Sequence, residues 1–101
     1  MDSSARRAQR LLEQLLVLRR KLLSSVSDGL PAMAALDLTI PQVMVIFRLV
    51  ELGPQTITEL RSASGRSQGA TSHLVTQLER AGWVTRGGDP ADGRRTRVSP
   101  P

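Results

Sequence analysis

The chain has 101 residues, with 14 Lys and Arg against 9 Asp and Glu, one His, no Cys, 40% apolar residues and 2% aromatic. This is the size of one small domain, and without thiols it excludes disulfide staples, thiolate zinc sites, cysteine nucleophiles and thiol redox sensing. One His and no Tyr leave little for acid–base chemistry. There is no Gly-rich phosphate loop and no His and carboxylates at metal-ligand spacing, so no enzyme, no cofactor and no metal are expected.

The net charge of +5 points toward a polyanion, with nucleic acid first, because Lys and Arg gathered on one face bind phosphates by releasing counterions. All the basic residues but Lys21 are Arg, which suits phosphate forks and groove insertion and is equally the mark of a GC-rich genome. No apolar run approaches the roughly 20 residues that span a bilayer. The start Met-Asp-Ser-Ser-Ala-Arg-Arg is not followed by an uncharged core and cleavage site. A cytoplasmic protein with no membrane partner is expected.

Leu11, Leu12, Leu15, Leu16, Leu18, Leu22, Leu23 and Val26 recur at helical spacing and predict a long amphipathic helix from Ser4 to Ser27. Asp28-Gly29-Leu30-Pro31 is expected to end it, with Gly29 in the left-handed cap position and Pro31 unable to continue the ladder. The apolar stripe is wide for so small a chain. Three readings follow: a partner surface through Leu11, Leu12, Leu15, Leu18 and Leu22, a helix folded back over its own domain, or, weakest because the stripe has no aromatic anchor, an anionic membrane surface. Residues 1–30 are accordingly assigned to this helix and residues 31–101 to a second region.

Thr39-Ile40-Pro41-Gln42 has capping-box spacing, and Val43, Ile46, Phe47 and Val50 form the expected core stripe of a helix stopped by Gly53-Pro54. Thr56-Ile57-Thr58-Glu59 repeats the signature ahead of a short helix from Thr58 to Ser64, and Gly65 permits a tight turn. A further helix runs from Ser67 to Ala81, with Ala70, Leu74, Val75 and Leu78 on one face and Gln68, Ser72, His73, Thr76 and Arg80 outward. Two helices joined by a turn, the second with a small polar outer face, make a helix-turn-helix. Trp83 to Arg86 and Thr96 to Val98 read as strands of a hairpin around the turn-rich GGDPADGRR, whose tip carries Arg94 and Arg95.

The ordered features are Leu38-Thr39 with Gln42, Gly53-Pro54 then Thr58-Glu59-Leu60, Leu74-Val75 with Leu78-Glu79, Gly82-Trp83-Val84 with Arg86, and Asp89-Pro90-Ala91-Asp92-Gly93-Arg94. From Leu38 to Val98 they resemble the MarR family of bacterial winged helix-turn-helix transcriptional regulators. The resemblance implies a mainly α fold with a small β-hairpin wing, a winged helix-turn-helix preceded by a long N-terminal amphipathic helix. It also implies double-stranded DNA as partner, with the helix from Ser67 to Ala81 in the major groove and the wing at the minor groove.

Carried over residue by residue, Asp92 holds the guanidinium of Arg94 at the minor groove, where narrow A/T-rich tracts concentrate negative potential. Gln68 pairs with adenine, and Thr71, Ser72 and His73 hydrogen-bond bases or phosphates. Ser67 and its neighbouring amides hold a phosphate, and Gly69 allows close backbone approach. Arg66, Arg86 and Arg95 neutralise phosphates. For His73 the plain alternative is an exposed helix residue without special role, and for Thr71 it is partial burial beside Leu74. Arg61 stands where the family pattern has a small apolar residue, which questions the local packing.

Beyond the wing strand the family continues with two long helices that complete its dimer, whereas this sequence reads Val98-Ser99-Pro100-Pro101. A homodimer or heterodimer is therefore expected to form through the N-terminal helix, and no effector is assigned. The alternative function is a winged-helix protein-interaction module, shortened relative to the family, that pairs with a full-length relative or another partner.

Overall fold

The computed structural model describes residues 3–88 and 96–100. They form two compact units, Met1–Thr39 and Ile40–Pro101. Residues 31–39 thus fall with the N-terminal helices rather than with the second region.

The first unit is a pair of helices, α1 (Ser3–Ser24) and α2 (Val26–Ala35), packed on each other. The single helix expected from Ser4 to Ser27 is interrupted at Ser25, whose extended backbone (φ −165°, ψ 152°) makes it the N-cap of α2. Its hydroxyl accepts the Asp28 N–H at 3.0 Å, and the Asp28 carboxylate lies favourably in the first turn of the helix. Gly29 is not a cap. It is buried inside α2, where an added Cβ would stand 2.9 Å from Leu22 Cα. Pro31 also lies inside α2, at the expense of one ladder hydrogen bond.

The helix stop comes instead at Asp37, the one described non-glycine residue with positive φ (56°). Its N–H bonds Ala34 O at 3.0 Å, and the Leu38 N–H bonds Met33 O at 3.2 Å. This paired closure is the Schellman geometry, which requires a left-handed residue at that point.

The double helix also revises the expected partner stripe. Leu15 and Leu18 are buried in this chain, Leu11 and Leu22 are half-buried, and only Leu12 of the five is exposed. The apolar side chains left open on this unit include Leu16, Leu23, Val26 and Leu30.

The second unit consists of α3 (Ile40–Leu52), β1 (Gln55–Thr56), α4 (Ile57–Ser64), α5 (Gln68–Arg80), β2 (Thr85–Gly88) and β3 (Thr96–Ser99). Its core draws Val43, Val45, Ile46 and Leu49 from α3, Leu60 from α4, Leu74, Val75 and Leu78 from α5, and Trp83, Val84 and Val98 from the chain that follows. The α3 face is rotated from the expected stripe: Val45 and Leu49 are buried, Phe47 is half-buried and Val50 is exposed. Because α3 is apolar almost all round, periodicity alone does not choose its inward side.

The three strands form an antiparallel sheet in the order β1-β3-β2, with Val98 paired to both Gln55 and Arg86. The expected hairpin is β2 with β3. Its first strand begins at Thr85, because Trp83 and Val84 are buried in the exit from α5. That exit is a second Schellman closure, with Gly82 at φ 87°, its N–H on Glu79 O at 3.0 Å and the Trp83 N–H on Leu78 O at 2.9 Å.

Candidate nucleic-acid interface

The geometry of the site starts with two capped helices and the turn between them. Thr56 caps α4 in a reciprocal box: its hydroxyl accepts the Glu59 N–H at 3.2 Å, while Glu59 Oε1 accepts the Thr56 N–H at 3.1 Å and its hydroxyl at 3.0 Å. Gly65 closes α4 in the left-handed conformation (φ 69°), its N–H on Arg61 O at 2.9 Å. Ser67 then caps α5, its hydroxyl accepting the Ala70 N–H at 3.2 Å.

Under this turn lies a buried polar joint. Ser64 and Thr71 place their hydroxyls 2.8 Å apart, and Ser64 Oγ also accepts the Arg66 N–H at 3.2 Å. Thr71 is 0% exposed, so it leaves the set of expected DNA contacts and becomes a packing residue. Ala70, expected inside, is exposed. The spacing 71, 74, 75, 78 is itself one helical face, and a threonine with a hydroxyl partner fills it as an apolar residue would.

Outward on α5 lie Gln68, Gly69, Ala70, His73 and Gln77, with Ser72 half-buried beside them. Gly69 meets nothing within 4 Å of an added Cβ, so the chain's own packing does not demand a glycine there. Three contacts not anticipated from sequence organise this face. The Thr58 hydroxyl donates to Gln68 Oε1 at 3.3 Å. Gln77 Oε1 accepts from Gln42 Nε2 at 3.4 Å, and its Nε2 lies 3.5 Å from His73 Nε2. Gln77 was within reach of sequence reasoning as one turn beyond His73; the Thr58 contact spans a tertiary turn and carries no local signal.

Arg86 differs from its expected role as a free phosphate neutraliser. Its Nη2 donates to Ser72 O at 3.0 Å and to Thr76 Oγ1 at 2.7 Å, and its Nε stands 3.6 Å from Glu79 Oε1. The guanidinium therefore straps β2 to α5 through its Nη2, which is committed within the chain. Arg66, at the turn before α5, is exposed and keeps the expected position. Arg61 is exposed as well, so its departure from the family pattern leaves the core undisturbed. Asp92, Arg94 and Arg95 lie outside the described residues.

Thr56, Ile57, Thr58, Glu59, Gln68 and Thr96 line a recess of about 420 Å³ beside the start of α5. Among the described residues no group of three or more His, Cys, Asp or Glu could hold a metal ion, and no single helix is long and apolar enough to cross a membrane.

The MarR family model matches residues 38–96. An uncharacterized HTH-type transcriptional regulator, YcgE of Bacillus subtilis (strain 168), is 46% identical over 52 residues, which make up 52% of this chain and 34% of that protein. The transcriptional regulator Tm0710 from Thermotoga maritima is similar in structure at 26% identity, with a TM-score of 0.71 over 84% of this chain and 60% of that one. The S. aureus MepR-DNA complex shares the fold, with a TM-score of 0.64 at 24% identity over 68% of this chain and 57% of that one. The chain thus spans about a third of the length of the curated relative it matches.

Proposed function

Because this chain belongs to the MarR family, we propose that it is a sequence-specific DNA-binding transcriptional regulator that acts in the cytoplasm. In this reading α5 enters the major groove, Gln68, Ser72 and His73 meet base edges or phosphates, and Ser67 with the first amides of α5 holds a phosphate. Arg66 adds a phosphate contact, and residues 89–95, with Asp92, Arg94 and Arg95, supply the minor-groove wing. Thr71 and Arg86 shape the helix without touching DNA.

The observation that carries the proposal is the exposed polar start of α5, held at a fixed angle by the Gly65 turn and followed by the β2–β3 hairpin. The DNA complex known for a neighbour of the same fold supports it. Dimerisation is proposed through the apolar side chains that remain open on α1 and α2. Twofold symmetry then asks for half-sites about 34 to 36 Å apart.

The test is binding to duplex DNA from the gene's own upstream region and to a scrambled duplex across a salt series, with the mass in solution recorded. Preferential binding of the upstream duplex by a dimer is expected. Replacing Arg94 by Ala should lower the salt slope by about one phosphate equivalent if it lies on the backbone. Equal, weak binding of both duplexes by a monomer overturns the reading.

A further inference from the structure

We propose that Thr58 determines which base Gln68 reads, by turning the side-chain amide so that it offers donors only; this rests on the DNA-binding reading above. Thr58 is the second residue of α4 and Gln68 the first of α5, and the Gly65 turn brings them together. The Thr58 hydroxyl donates to Gln68 Oε1 at 3.3 Å, and both side chains are exposed at the rim of the same recess.

Bidentate reading of adenine needs the oxygen and the nitrogen of the amide on the same edge, one accepting from N6 and the other donating to N7. With its oxygen drawn back to α4, Gln68 presents Nε2 alone. Two N–H donors match the paired acceptors N7 and O6 of guanine, whereas the N6 amino group of adenine opposes them. Thr58 is thus a positioning residue, and the reading of Gln68 shifts from adenine to guanine.

The experiment measures affinity for a duplex selected from random sequence and for every single base-pair change in its half-site. It compares the full chain with its Thr58→Val, Thr58→Ser, Gln68→Ala and Thr58→Val/Gln68→Ala variants. The unmodified chain is expected to prefer guanine at one position, on the order of tenfold. Thr58→Val should move that position to adenine and leave the others alone, while Thr58→Ser keeps guanine. Gln68→Ala should erase the preference there, and Thr58→Val should add nothing to it. The proposal is overturned if Thr58→Val retains the guanine preference, or if it changes base preference when residue 68 is already Ala. If the unmodified chain does not distinguish the selected duplex from scrambled DNA, the DNA-binding reading itself fails and takes this one with it.

Discussion

The hydroxyls of Ser64 and Thr71 stand 2.8 Å apart in the buried joint of α4 and α5, and their polarity is determined by their neighbours. Ser64 gives its one hydroxyl proton to Arg61 O at 3.2 Å and accepts the Arg66 N–H at 3.2 Å, so Thr71 is the donor of the pair. The turn and the helix that follows it are therefore joined by a single side-chain oxygen that serves three groups.

Unequal costs follow for the two ends of this pair. Thr71→Val keeps the shape and leaves Ser64 with its other partners, at a cost of about 0.5–1.5 kcal/mol. Ser64→Ala strands the Thr71 hydroxyl and the Arg66 N–H together, at about 1–3 kcal/mol. Urea unfolding of both variants checks the order, and a larger loss for Thr71→Val contradicts the assigned polarity. The double variant should lose less than the sum, because the two residues share one interaction.

Arg86→Ala should lower stability by about 1–3 kcal/mol, mostly through its hydrogen bonds to Ser72 O and Thr76 Oγ1. The Glu79 pair adds little, since Glu79 is exposed. The slope of binding against salt should stay unchanged, because the Nη2 bonds and the Glu79 ion pair hold this guanidinium against α5. A slope reduced by about 0.9 would instead identify Arg86 as a phosphate contact.

Gly29→Ala tests the crossing of α1 and α2. Helix propensity alone favours alanine by about 0.5–1 kcal/mol, yet the added Cβ would lie 2.9 Å from Leu22 Cα, a backbone atom that cannot step aside. A net loss of about 1–3 kcal/mol is expected from overpacking. Thermal unfolding decides the sign, and a stabilised variant would show that the helices can separate freely.

Much of the second unit was legible residue by residue. Thr56 with Glu59, Gly65 as the turn after α4 and Gly82 as the end of α5 all act through hydrogen bonds to residues within a turn. Cap chemistry is local, and a local sequence is enough to read it. The same local logic misplaced the end of the first helix. Gly29 and Pro31 look like a stop, but Ser25 caps a new helix there and Gly29 serves the close passage of Leu22.

What the sequence by itself determined is the order of helices, turn and hairpin in the second unit, because periodicity, caps and turn residues are properties of neighbours along the chain. Tertiary structure alone decided that Thr71 is inside and Ala70 outside, that Arg86 is tied to α5, that Gln55–Thr56 forms a third strand, and that Thr58 meets Gln68. Each of these depends on a partner in another element, and a polar side chain's burial or orientation is settled by the hydrogen bond waiting for it there.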